Sequence, residues 1–139
     1  MKKLYALRFY STPDGAHREA FHIGLFRSRA EAEAVEAHYR KAVAGFKEYA
    51  CDAEIAEVAV VGEAEGAACV YRYVGWNEDA DLDEVDVIEG DCYVDHGQAA
   101  EALERARATY PRKEWALNAH AIGRCDWPEG FVRCGSEDA

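Results

Sequence analysis

The chain has 139 residues, 50% of them hydrophobic and 12% aromatic, enough apolar material for one domain to build a core without metal or disulfide staples. Its formal net charge of −11 excludes nucleic-acid recognition through clustered Lys and Arg, and makes basic proteins the partners its surface would attract. The cysteines, Cys51, Cys69, Cys92, Cys125 and Cys134, are odd in number and contain no Cys-x-x-Cys pair, which excludes a disulfide framework and a zinc knuckle and reads as buried free thiols.

Behind Met1-Lys-Lys the apolar run is broken by Arg8, no cleavage site follows, and no stretch approaches the ~18 apolar residues of a membrane span. The expectation is a cytoplasmic protein with no membrane partner.

Residues 4–10 alternate, Tyr5, Leu7 and Phe9 on one face against Leu4, Ala6, Arg8 and Tyr10 on the other, the period of a half-buried strand. Ser11-Thr-Pro-Asp-Gly is turn chemistry, and residues 18–26 form a second strand, with Phe21, Ile23 and Leu25 on one face and His22, Gly24 and Phe26 on the other, completing a hairpin. Ser28 followed by Glu31 is a capping box. From it a helix runs to about Gly45, with Ala32, Val35, Tyr39, Ala42, Val43 and Phe46 as its apolar stripe. Residues 54–61 form a third strand whose Val58-Ala-Val-Val run implies a buried, central position.

The second half repeats the order. Residues 69–76 and 84–94 form strands, with an irregularity expected at Glu89-Gly90 where alternation breaks and glycine permits a bulge. Asp95 and Gln98 form a second capping box, 67 positions after Ser28 and Glu31. The helix behind it buries Ala99, Ala102, Leu103, Ala106 and Tyr110 and ends at Pro111, and residues 114–124 form the last strand. Trp127-Pro-Glu-Gly-Phe131 is a turn whose aromatics fold back over the core, and residues 135–139 are loose. The fold expected is α+β, an internally duplicated ββαβ-ββαβ with mainly antiparallel sheet or sheets and two helices packed on one side. It forms a single domain of two repeats, over about 1–62 and 68–127, plus a short C-terminal tail.

Ile23-Gly-Leu-Phe-Arg-Ser28-x-x-x-Ala32, then Gly45-Phe46 and the Glu54-Ile55-x-Glu57 strand, resembles small bacterial ββαβ domains. In those a strand ending in Ile-Gly enters a capped helix. The resemblance covers under half of the chain and implies a fold but no activity. The second half departs from it, with Asp95 in place of Ser and no Gly-Phe.

Between Asn77 and Asp91 stand eight carboxylates, Glu78, Asp79, Asp81, Asp83, Glu84, Asp86, Glu89 and Asp91, with no Lys or Arg; without them the remainder carries only −3. Asp79-x-Asp81-x-Asp83 imitates the start of a calcium loop, but Glu84 replaces the required Gly and Gly90 the twelfth-position Glu, which excludes an EF-hand. One reading is a solvated connection between strands four and five. The other is an acidic surface, Glu78, Asp79, Asp81, Asp83, Glu84 and Asp86, docking a basic protein as small inhibitor or immunity proteins do.

Arg8, between Leu7 and Phe9, and Arg72, between Tyr71 and Tyr73, occupy equivalent strand positions, and with His22 and His120 they could line a ligand or enzyme cleft between the repeats. No histidine pair has metal-ligand spacing, no glycine cradle is written for a nucleotide, and no nucleophile elbow or Cys-His pattern is visible, so no catalytic residue, metal or cofactor is assigned. Tyr39, Phe46, Tyr49, Tyr110 and Trp115 read as core. A homodimer joined through exposed sheet edges or faces is a third possibility.

Overall fold

The computed structural model describes residues 3–11, 19–79 and 82–131, with backbone only for 78–79 and 82–86. Among them the elements run β1 (Lys3–Ser11), β2 (Glu19–Phe26), α1 (Arg29–Ala42), β3 (Asp52–Val61), β4 (Cys69–Asp79), β5 (Leu82–Tyr93), α2 (His96–Thr109) and β6 (Glu114–Ala121). The protein is α+β, and its strands form one sheet in the order β2-β1-β3-β5-β4-β6. β1/β2, β4/β5 and β4/β6 pair antiparallel, while β3 pairs β5 in parallel. The turn at residues 12–15, His17, Asp81, Cys134 and the tail at 135–139 lie outside the described residues. The chain divides into two compact units, one of Leu4–Glu57 with the segment beginning at Gly123, the other of Val58–Ile122.

In the first unit, β2 departs from the simple alternation expected of it. Leu7 pairs with Gly24 but Arg8 pairs with His22, so Ile23 is an extra residue, a bulge. The parity of the strand changes there, and Phe26 and Phe21 both come to the face of Tyr5 and Phe9, with Gly24 between them. That face carries the core: Leu7, Phe9, Phe21, Ile23 and Phe26 cluster with Ala32, Tyr39, Val43, Phe46 and Cys51. Full burial of a side chain such as Phe9 contributes about 1.5–3 kcal/mol.

α1 starts as its sequence dictates. Ser28 is extended, and its hydroxyl accepts from the Glu31 N–H at 3.1 Å. The expected stripe needs one correction: Ala42 is exposed, because Tyr39, Val43 and Phe46 carry the contact beyond the last turn. The helix ends at Val43, which is extended, and Gly45, at φ +86, lies in the turn that follows.

The segment after β6 folds back over this core as a strap. Gly123 N–H donates to Leu25 O at 2.8 Å and Asp126 N–H to Ile23 O at 2.7 Å, which occupies carbonyls on the outer edge of β2. Phe131 stacks on Phe21 at 4.8 Å and meets Phe46 edge-on at 5.0 Å, while Trp127 meets Phe21 edge-on at 4.8 Å. Gly24 is glycine because a Cβ there would collide with the Arg124 carbonyl. β3 is central in the sheet but not covered on both faces as its apolar run suggested, since Val58 and Val60 are buried while Ala59 and Val61 are exposed.

In the second unit, β4 is flanked by β5 and β6. Against β6 it keeps an unbroken register from Cys69↔Ala121 to Trp76↔Glu114. Against β5 the register shifts three times, at Arg72/Val74, Gly75/Asn77 and Asn77/Asp79, and each shift gives β5 one residue more than β4. The first is the irregularity expected at Glu89-Gly90. Asp95 caps α2, its carboxylate accepting from the Gln98 N–H at 2.9 Å. Tyr71 and Tyr93 are register partners on the α2 side of the sheet: the Tyr71 ring meets His96 edge-on at 5.0 Å, and Arg105 of α2 acts electrostatically on Tyr93. Arg72, next along β4, therefore faces away from α2. Ala99, Ala102 and Leu103 are buried as expected. Tyr110 is not: it is 47% exposed, because it follows the last helical residue and precedes Pro111, which turns the chain off the stripe.

Candidate functional site

The carboxylate-rich stretch is not a loose connection between strands. β4 runs on to Asp79 and β5 begins at Leu82, with Asp79 paired to Leu82. The β6 pairing ends at Trp76↔Glu114, so from Asn77 outward β4 and β5 continue as a two-stranded ribbon. Glu78 and Asp79 lie on one strand of this ribbon, Asp83, Glu84 and Asp86 on the other.

At the base of the ribbon lies a groove of about 700 Å³. Val87, Ile88, Tyr110 and Pro111 give it apolar lining; Asn77, Thr109, Arg112 and Lys113 give it polar lining. Val87 is 46% exposed, so the groove presents two large apolar side chains, Val87 and Tyr110, to solvent. Trp115 steadies this corner by donating from its indole N–H to Tyr110 O at 3.2 Å.

Arg72 lies within the sheet, paired to Cys92 of β5 and Asn118 of β6, at the first register shift. Its Nε donates to Gly90 O at 2.6 Å and its Nη1 lies 3.2 Å from Glu89 Oε2, with only 13% of its side chain exposed. Cys92, its register partner, is fully buried, and burial pushes that thiol up to about 11 even though Arg72 pulls it down.

The four residues read as a possible cleft fall into two pairs, each inside one unit. Arg8 and His22 are cross-strand partners on the face of β1 and β2 away from α1. Arg72 and His120 lie on β4 and β6, diagonal to one another, since Arg72 pairs with Asn118 and Val70 with His120.

The first unit has a smaller groove of about 370 Å³ between α1 and the strap, lined by Glu31, Val35, His38, Tyr39, Cys125 and Pro128 among others. The Tyr39 hydroxyl donates to Asp126 O at 2.7 Å, and burial pushes it up to about 12. Burial also raises the Cys125 thiol, against a lowering hydrogen bond from Tyr39, so Cys125 is held as the poorly nucleophilic thiol. Among the described residues no group of three or more His, Cys, Asp or Glu is placed to hold a metal ion, and no helix is long and apolar enough to cross a membrane.

Tyr110, Val87, Arg112 and Lys113 are the groove residues that sequence reasoning missed. The available signal was Tyr110 beside Pro111, an aromatic where the helix must stop. Compared with known protein families, curated proteins and solved structures, the chain has no match in any of the three.

Proposed function

We propose that this protein is a non-enzymatic binding or regulatory module that docks a basic protein, in the manner of small inhibitor or immunity proteins, through the β4–β5 ribbon and the groove at its base. The observation that carries this reading is the coincidence of two features. The densest acidic stretch of the chain is laid out on paired strands, and beside it Val87 and Tyr110 stand exposed around a groove of about 700 Å³. Carboxylates steer a basic partner and make its association salt-sensitive, while a desolvated apolar contact sets how long it stays. Glu78, Asp79, Asp81, Asp83, Glu84 and Asp86 are the residues assigned to the contact.

The test is affinity capture from the native host at low and high salt, run in parallel with a ribbon in which Glu78, Asp79, Asp83 and Glu84 are changed to their amides and with Tyr110→Ala. A basic protein retained at low salt, released at high salt and lost with both variants supports the reading. Retention of nothing at low salt, or equal retention by the variants, removes it.

A second reading, a small-ligand binder or enzyme lined by Arg8, Arg72, His22 and His120, draws support from the direct Arg8–His22 pairing. It is weaker because the Arg72 guanidinium is engaged by Gly90 and Glu89.

The two halves are also proposed to be a duplication. In each, the first strand is central, giving β2-β1-β3 and β5-β4-β6, and in each a side-chain oxygen, of Ser28 or Asp95, caps the helix from the same position. A reducing cytoplasm fits the free thiols of Cys51, Cys69, Cys92 and Cys125.

A further inference from the structure

The two edges of the sheet are treated differently by the chain. At the β2 edge, the strap occupies the Ile23 and Leu25 carbonyls. At the other edge stands β6, and among the described residues no strand lies beyond it. Edge strands are ordinarily protected by lysine, proline, bulges or short length. β6 has none of these between Glu114 and Ala121: its sequence is Glu-Trp-Ala-Leu-Asn-Ala-His-Ala, and its register against β4 is unbroken over the whole strand.

The outward-facing backbone groups can be assigned. Ile122 N–H donates to Ala68 O at 3.0 Å, so Ile122 turns its N–H toward β4. Alternation along an antiparallel strand then turns the N–H and C=O of His120, Asn118, Ala116 and Glu114 inward, and those of Ala121, Ala119, Leu117 and Trp115 outward.

We infer that β6 is a self-association edge, on which a second copy of this chain adds its own β6 antiparallel about a two-fold axis through Leu117. Backbone parity requires that outward residues meet outward residues, and centring on Leu117 meets that condition while using the full strand. Leu117 then faces its own copy, Trp115 faces Ala119, Ala116 faces Asn118, and Glu114 faces His120 at both ends. No like charges oppose one another, and each carboxylate gains an imidazole across the strand pair. An isologous contact of this kind closes on itself and leaves no growing edge at β6. The inference rests on the backbone of β6 from Glu114 onward, whereas the partner reading rests on the β4–β5 ribbon and a groove lined no further than Lys113.

Sedimentation equilibrium of the intact protein over a wide concentration range tests it, with a species of twice 15.5 kDa expected. Leu117→Pro deletes an outward N–H that β4 does not use, so it is expected to give a monomer that retains native circular dichroism and cooperative unfolding. Glu114→Lys is expected to weaken the dimer about tenfold, because two symmetric pairs are spoiled at once. The double variant Glu114→Lys/His120→Glu is expected to restore it. Residues six apart on one strand are separated by roughly 20 Å, so that rescue arises only between copies. A 15.5 kDa species at every concentration overturns the inference. So does a dimer indifferent to Glu114→Lys, or one weakened by it that the charge swap fails to restore.

Discussion

The Arg72 guanidinium donates through Nε to the Gly90 carbonyl at 2.6 Å, within the stretch where β5 carries one residue more than β4 between Glu89 and Cys92. A bulge leaves a residue out of the ladder, and its polar groups must find a side chain or water. Here a largely buried arginine takes that role and holds Glu89 with a second nitrogen at 3.2 Å. Arg72 is thus a structural element of the first bulge between β4 and β5, and its loss is expected to be felt in stability.

Arg72→Met is expected to destabilise the protein by about 2–3 kcal/mol, the range for removing a charge-assisted hydrogen bond and leaving a buried acceptor unmade. Arg72→Lys is expected to recover only part of this, because a single ammonium lacks the fork that reaches Gly90 O and Glu89 together. Urea unfolding of the three proteins checks the ranking; equal stability of Arg72→Met and wild type refutes it.

Gly24 and Gly90 both stand in a strand shortly before a capped helix, yet the same substitution is expected to act unequally. A Cβ at Gly24 meets the backbone carbonyl of Arg124, and one at Gly90 meets the ring of Tyr73. Tyr73 is half-buried and its ring can swing aside, whereas the strap is fixed by its bonds to Leu25 and Ile23. Gly24→Ala is therefore expected to cost about 2–3 kcal/mol and Gly90→Ala about 1 kcal/mol. Gly24→Ala is also expected to accelerate amide exchange at Gly123 and Asp126. Denaturant midpoints and hydrogen exchange decide between this ranking and its reverse.

Phe131 anchors the far end of the strap. It stacks on Phe21, meets Phe46 edge-on, and donates its backbone N–H to Ala44 O at 3.1 Å. Phe131→Ala removes a half-buried ring from this aromatic cluster and is expected to cost about 2–4 kcal/mol, slightly below the cost at a fully buried site. Phe131→Leu is expected to retain most of the stability by keeping apolar volume. Thermal unfolding of the pair measures the difference, and a neutral Phe131→Ala shows that the strap is not part of the first unit's core.

The parts of the fold legible in the sequence were those set by local chemistry. Ser28 and Asp95 announce their helices because a capping oxygen is needed at one position, and Glu89-Gly90 announces a bulge because alternation fails where glycine stands. The β2 bulge was hidden, since Phe21, Ile23 and Leu25 satisfy a regular period while Phe26 does not, and only pairing with β1 shows which residue steps out. Tyr110 was misplaced for a similar reason. Helical spacing continues on paper past Thr109, but the helix does not, and one residue beyond the end an aromatic on the stripe becomes an aromatic at the lip of a groove. The acidic stretch read as a connection because charge dominates its composition, while β-pairing through Asp79 and Leu82 depends on backbone register that composition does not encode.

Alkaline pH is expected to unfold the protein through two buried acids. Burial pushes the Tyr39 hydroxyl up to about 12 from its ordinary 10.0, and the Cys92 thiol up to about 11 from 9.0. Over those intervals the folded protein holds protons that the unfolded chain has released, so the unfolded state binds fewer protons and stability falls as pH rises. Stability from these groups is complete below pH 9.0, declines first through Cys92 and then through Tyr39, and is lost by about pH 12. Tyr39→Phe forfeits the bond to Asp126 O but cannot ionise, so its deficit relative to wild type is expected to shrink above pH 10.0. Cys92→Ala is expected to flatten the earlier part of the decline in the same way. Urea midpoints measured at successive pH values for the three proteins test this, and three parallel curves would show that other groups govern the alkaline transition.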